Sequence, residues 1–398
     1  MAKIYRNIGL ITITEMVNNV DVNNRLLQIY SEKWTELCKA LDKLEGNCGQ
    51  NYENNPLLLR VDDCQKYEEA DLKIMIFGQD MSDGSWYKYD RQSSLEDCMN
   101  NIKTFRNTIG AVDNETQKRQ NNGFGGGVNR FIDLLRKAMP KCKIQFIWND
   151  LVKIGRNIES NQNREKLETV EKERFNVIID EINCLQPDYI IFMTGPTEFW
   201  ESRLREKLKI SSPYTQCPGF SLKQLSLVIL GDSCPEVKSA FRTYHPRYIK
   251  GRWGRYSTIA EIIKRKYIID KLKDRFSQST ICFVNDENCE DQIVDYKDIR
   301  CWSSEWLSIV RVQGNYYGCI TYGLNDNIEL GVRRAPGTLK GELDCLNNRD
   351  YPLSSNIWWY CKKDIDKDLI AQNLSVEDFI VKLTDGLNEV LTIMSCEL

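Results

Sequence analysis

Apolar positions along the first 275 residues alternate between two textures. Leu26, Leu27, Tyr30, Trp34, Leu37, Leu41 and Leu44 recur at helical spacing, which predicts an amphipathic packing helix over 19–45. Four short strand-like runs follow. The first ends in Gly78-Gln79-Asp80, the next (144–148) in Asn149-Asp150, the third (189–193) in Thr194-Gly195-Pro196, and the fourth (239–244) in His245-Pro246. Runs of this length read as strands buried on both faces. Helical patterns at 163–184 and around 199–208 separate them, so the chain predicts βαβ units and a mainly parallel sheet. The run 225–230 predicts an extra strand at one edge.

Two stretches break the alternation. Residues 90–122 are polar, lack apolar periodicity and read as a surface insertion. Gly123-Phe124-Gly125-Gly126-Gly127 then opens a helix through Phe131, Leu134, Leu135 and Met139. A glycine-rich turn at a helix start can cradle phosphate. The Walker Lys-Ser/Thr pair is absent, however, and the run does not follow a strand. It reads as a flexible turn able to touch a DNA backbone rather than as a nucleotide loop.

Past Ser277 the texture becomes short β-rich runs (281–284, 306–312, 316–322, 327–332, 357–361) and a closing helix over 376–393. The fold class expected is α/β over residues 1–278, a mainly parallel central sheet flanked by helices, with an α+β accessory domain over 279–398. The accessory segment carries no catalytic constellation, and its Trp302, Trp306, Trp358 and Trp359 read as core.

Length and charge narrow the class. A chain of 398 residues accommodates two domains. The formal net charge of -3 permits a nucleic-acid surface only if positive charge is segregated. It is: residues 247–275 hold ten Lys/Arg against three acids, interleaved with Tyr248, Trp253, Tyr256 and Tyr267. The bland reading is a solvated helix face. The segregation, beginning beside His245, favours phosphate contacts, with Arg247, Tyr248, Lys250, Arg252 and Arg255 as candidate DNA-binding residues. The apolar run 8–13 is too short for a signal core or a membrane span, so no membrane association is expected. The 15 cysteines read as reduced thiols of a cytoplasmic protein. No Cys-x-x-Cys pair occurs and His245 is the only histidine, so neither metal nor cofactor is expected.

In a parallel sheet the four strand ends share an edge, where ligands of α/β proteins bind. Gly78 permits close backbone approach, Gln79 can donate and accept, and Asp80 is a candidate base. Gly78-Gln79-Asp80, Asn149 and Thr243-Tyr244-His245-Pro246, in this order at predicted strand ends, resemble the motifs of the uracil-DNA glycosylase superfamily over about residues 70–260. The resemblance implies that Asp80 orients or activates a water and that Asn149 reads the pyrimidine edge. His245 would hydrogen-bond the leaving base, Gly78 and Gln79 would line the pocket, and the substrate would be duplex DNA with a base flipped out. Hydrolysis of an N-glycosidic bond builds positive charge on the sugar and negative charge on the base, which a carboxylate and a neutral imidazole respectively stabilise.

Departures from the family pattern redirect the substrate. After its Asp the family continues Pro-Tyr, and that Tyr blocks substituents at carbon 5 of the pyrimidine. Here Met81 and Ser82 stand in those places, and Ser82 leaves a void. The expectation is a base with a bulky 5-substituent, such as 5-hydroxymethylcytosine or its glucosylated form, with Asp150 accepting from the cytosine amino group. An offshoot of the superfamily defends prokaryotes against phages with such DNA. Phe124 and Trp86 are the candidates for the base-stacking aromatic. Some members of the superfamily hold an iron–sulfur cluster, but Cys38, Cys48, Cys64 and Cys142 do not reproduce the ligand spacing, and no cluster is expected. The competing readings are a catalytically silent modified-DNA-binding module, an ordinary uracil-excising repair enzyme, and an enzyme of RNA or free nucleotides.

Overall fold

The computed structural model describes residues 21–48, 53–80, 94–106, 124–156, 161–210 and 214–275 (Pro218 and Ile249 excepted), five later strands, and isolated positions near the carboxyl end. In chain order the first elements are α1 (Val22–Cys48), β1 (Glu53–Pro56), α2 (Cys64–Glu68), β2 (Leu72–Asp80), α3 (Leu95–Arg106) and α4 (Phe124–Ala138). There follow β3 (Ile144–Val152), β4 (Ile154–Arg156), α5 (Asn161–Arg174), α6 (Ile178–Leu185), β5 (Tyr189–Phe192) and α7 (Glu198–Leu208). Next come β6 (Thr215–Gln216), β7 (Leu225–Val228), β8 (Ser239–Thr243) and α8 (Arg252–Arg275). The last strands are β9 (Thr280–Val284), β10 (Trp306–Gln313), β11 (Tyr316–Gly323), β12 (Ile328–Arg334) and β13 (Trp359–Ile365).

The chain divides into two compact units, the first holding Met1–Ile132, Lys143–Gln216 and Ser221–Arg252. Its six-stranded sheet has the order β3-β2-β5-β8-β7-β6. The first four strands are parallel, whereas β7 and β6 add antiparallel. The sheet is thus mixed, with helices on it, an α/β arrangement. The extra strand predicted at 225–230 is present as β7, but the two-residue β6 takes the edge. The helix predicted over 163–184 is two, α5 and α6, because Phe175 and Val177 turn inward between them. Residues 90–122 were expected to be a surface insertion without apolar periodicity, yet α3 occupies 95–106 and buries Cys98 and Met99.

One apolar layer lies between the sheet and its helices. From α1 it takes Leu26, Tyr30, Leu37 and Leu41, all wholly buried, at the spacing the pattern predicted. From the strands it takes Met75, Phe77, Ile147, Leu151, Ile190 and Phe192, and from α6 Ile178, Ile182 and Leu185. Each such leucine contributes roughly 1.5–3 kcal/mol by leaving water. At the amino edge Asp188 stitches three strands together. Its carboxylate accepts from the backbone N–H of Lys73 at 2.8 Å and pairs with Lys238 at 3.1 Å, and its carbonyl accepts from the Lys238 N–H.

The second unit comprises Asp133–Cys142, Cys217–Phe220 and Trp253–Leu398. Its strands β9–β13 form an antiparallel sheet in the order β13-β12-β11-β10-β9, a simple meander from β9 to β13. The five predicted β-rich runs match these strands within a few residues. The predicted closing helix at 376–393 lies largely outside the described residues, as do Trp302 and Trp358. Among the described residues no helix is long and apolar enough to cross a membrane.

Candidate active site

The carboxyl edge of the first sheet brings four strand tips side by side: Asp150 on β3, Gly78 to Asp80 on β2, Thr194-Gly195 after β5, and His245 after β8. Backbone bonds lock these tips. The Met193 N–H donates to the Phe77 carbonyl at 2.9 Å, and the Gly195 N–H to the Thr243 carbonyl at 3.0 Å. Gln79 joins in, donating from Nε2 to the Thr194 carbonyl at 2.6 Å. Its amide nitrogen therefore braces the neighbouring strand tip. Gly195 sits at φ +83°, a left-handed conformation that glycine adopts without a Cβ penalty.

β3 does not stop where its apolar run stops. It continues through Asn149 and Asp150 to Val152, in register with Gly78 opposite Asp150. Side chains alternate along a strand, so Asn149 and Asp150 face opposite ways. That overturns the expected role of Asn149. Its side chain is wholly buried; its Nδ2 donates to Glu181 Oε2 at 3.0 Å, and its Oδ1 accepts from Lys153 Nζ at 2.7 Å. Lys153 and Glu181 are both fully buried and paired at 2.7 Å, and the Tyr30 hydroxyl donates to Glu181 at 2.6 Å. Burial pulls Lys153 below the usual lysine range while Glu181 holds it up. A second carboxylate, Glu171, accepts from the backbone N–H groups of Lys153 and Ile154 at 3.0 and 3.1 Å and pairs with Lys207. The turn after β3 is bolted down on the helix side. Asn149 belongs to those bolts and is not available to a ligand.

Asp150 emerges on the other face. A Cβ placed on Gly78 would collide with Asp150 Oδ1 and lie 3.0 Å from the Phe124 ring. Gly78 is glycine because a carboxylate and an aromatic ring share the space above its Cα. The Phe124 ring centroid lies 5.5 Å from that of His245 and 6.2 Å from that of Trp148. It bridges the β2 tip and the β8 tip. Asp150 is wholly buried, and its carboxyl is held well above the usual carboxylate range by burial first and by the charge of Asp80 second. Lys153 and the Trp148 indole N–H oppose that shift. Asp80, half-buried, thus stands close enough to Asp150 for the two carboxyls to resist ionising together.

His245 lies at the other end of the cluster. Burial, then the charge of Arg247, lowers its imidazole to about 4, so it is neutral at pH 7. Its Nδ1 accepts from the Arg247 backbone N–H at 3.2 Å, which assigns the proton of the neutral ring to Nε2. The turn is held by Arg252, whose Nη1 donates to the Pro246 carbonyl at 2.8 Å, and by the Tyr248 N–H on the His245 carbonyl at 2.8 Å. The glycine run now has a reason. Helix α4 starts at Phe124, so Gly125, Gly126 and Gly127 form its first turn, and a Cβ on Gly127 would run into the Pro246 ring. These glycines let the helix carrying Phe124 lie directly on the His245-Pro246 turn, in place of the flexible turn predicted.

The basic segment divides. Arg247 and Lys250 are exposed, and Tyr248, 45 % exposed, packs against Tyr244 with tilted rings whose centroids are 4.4 Å apart. Arg252 and Arg255 are 3 % and 2 % exposed, which removes both from the surface that could touch phosphate. Charge counting along a sequence does not distinguish a guanidinium that clamps a carbonyl from one in water. Ser82 and Trp86 lie outside the described residues. Trp148, Glu181 and Lys153 were not anticipated; the only trace of them in the sequence is the Asn149/Lys153 pairing four apart at a strand end. Among the described residues no group of three or more His, Cys, Asp or Glu side chains is gathered as a metal site. Comparison with known protein families, curated proteins and solved structures returns no match.

Proposed function

We propose that this protein is a DNA glycosylase of the uracil-DNA glycosylase kind, hydrolysing the N-glycosidic bond of a flipped-out, 5-modified pyrimidine to leave an abasic site. The observation that carries the reading is one row on one sheet edge: two mutually repelling carboxyls, Asp80 and Asp150, an aromatic ring, Phe124, and a neutral imidazole, His245, with its proton on Nε2. In this reading Asp80 stays ionised, faces the sugar and positions water as positive charge grows at C1′. Phe124 supplies a face for the base to stack on. His245 Nε2–H donates to the base oxygen where negative charge accumulates; a neutral donor suits a base that leaves electron-rich. Arg247, Lys250 and Tyr248 hold the strand beside the site, and 5-modified bases of phage DNA are a fitting substrate source.

The test is release of free base from duplexes carrying uracil, cytosine or 5-hydroxymethylcytosine, detected by mass spectrometry, with alkaline scission reporting the abasic site. Asp80→Asn is expected to abolish release while leaving duplex binding intact. A protein that binds modified duplex and releases nothing, with Asp80→Asn indistinguishable from it, is instead a silent reader of modified bases.

A further inference from the structure

We propose that Asp150, rather than Asn149, addresses the base, and that it does so as a general acid toward a base with an unprotonated ring nitrogen beside an exocyclic amine, the cytosine class. This rests on the glycosylase reading above and narrows it.

The geometry comes first. Asp150 is 1 % exposed, it emerges on the face of Gly78 and Phe124, and its Oδ2 has no hydrogen-bond partner among the described residues. A buried carboxyl oxygen left without a partner costs stability, unless a ligand supplies the missing partner. The groups that act on it are Asp80 from β2, Trp148 from β3, Lys153 from the turn after β3 and Glu171 from α5. Burial and the two acids favour the protonated form; Lys153 and the indole oppose it. Burial and the charge of Asp80 thus bias Asp150, which shares the space above Gly78 with Phe124, toward its protonated form. Environments that separate two neighbouring carboxyls in this way assign them acid and base roles.

A proton donor at the base edge discriminates by chemistry. The cytosine ring nitrogen next to the amine carries a lone pair and can accept the Asp150 proton. In uracil the same nitrogen already bears hydrogen. In the step, the Asp150 O–H proton moves to that ring nitrogen, the C1′–N bond breaks with its electrons returning to the base, and the base leaves neutral. Water adds to C1′ and gives its proton to Asp80; Asp80 then releases that proton to solvent, and Asp150 takes one back from solvent. The second Asp150 oxygen accepts from the exocyclic amine.

Single-turnover excision tests this with duplexes carrying 5-hydroxymethylcytosine, its 3-deaza analogue (which lacks the accepting nitrogen) and uracil. For the wild-type protein the 3-deaza base is expected to be released at least about 100-fold more slowly than its parent. Asp150→Asn, of the same shape, is expected to lose about 10²-fold or more on 5-hydroxymethylcytosine and at least tenfold less than that on uracil. A folding check accompanies it. A buried acid whose proton is held in the folded state and lost in the unfolded one destabilises the protein as pH rises above the ordinary aspartate value. Asp150→Asn should therefore raise Tm, and raise it more at pH 8 than at pH 5. Equal release of the parent and 3-deaza bases, or an Asp150→Asn rate on 5-hydroxymethylcytosine like that of wild type, overturns the role of Asp150 and leaves the glycosylase reading standing. No release from any duplex overturns both.

Discussion

His245 is the residue whose protonation state decides what its end of the site can do. Because it is the only histidine in the chain, its ring gives a single resolved signal in a proton NMR titration. The expected midpoint is about 4, well below the ordinary 6.5. The unfolded chain binds this proton between those values and the folded chain does not. Stability should fall as pH drops from about 6.5 to about 4 and level off below, a loss on the order of 3 kcal/mol from this group. A midpoint near 6.5 would mean the ring is open to water and charged at mildly acid pH, which the neutral-donor role forbids. Asn149 makes the opposite case at the same scale. Its polar atoms are spent on Glu181 and Lys153, so Asn149→Ala should cost about 1–3 kcal/mol in urea unfolding. It should leave the preference among bases where it was. A change in preference without loss of stability would return Asn149 to the base.

At the scale of elements, two close approaches shape the site. β2 runs under Phe124 and Asp150 at Gly78, and α4 runs under Pro246 at Gly127. The second is the better probe because it lies away from the carboxyls. Gly127→Ala places a methyl group against the Pro246 ring, and overpacking of that kind costs about 1–3 kcal/mol. The strain must move either α4, which carries Phe124, or the turn that carries His245. Lower Tm together with a shifted His245 ring resonance is expected; an unchanged spectrum would show that the helix and the turn are independent. The buried pair Lys153–Glu181 sets the third fixed point. Glu181→Gln leaves Lys153 buried without its countercharge, and a loss of about 3–5 kcal/mol is expected from urea denaturation.

At the scale of the molecule, the question is which surface meets the phosphate backbone. Arg247 and Lys250 are exposed beside the His245 turn, whereas Arg252 and Arg255 are inside. Each phosphate contact removed should lower the slope of log affinity against log salt by about 1. Arg247→Ala and Lys250→Ala are each expected to do this for duplex DNA with Tm unchanged. Arg252→Ala should instead lower Tm, since it removes the clamp on the Pro246 carbonyl. Should Arg252→Ala alter the salt slope and not Tm, the division between buried and exposed arginines is wrong.

The short strand-like runs, the helical spacing of α1 and the order of strands and helices already determined an α/β sheet with polar tips along one edge, because strands buried on both faces and amphipathic helices leave that signature locally. The placement of Gly78, Asp80 and His245 on that edge was legible for the same reason. What only the tertiary structure decided was orientation. β3 runs past its apolar stretch because Glu171 and Lys153 anchor its continuation. That extra length, by the alternation of a strand, turns Asn149 into the core and Asp150 toward Phe124. Likewise the Gly125–Gly127 run and Arg252 look the same in sequence whether they meet solvent or protein. Packing against Pro246 and its carbonyl, contacts that join distant parts of the chain, settles which.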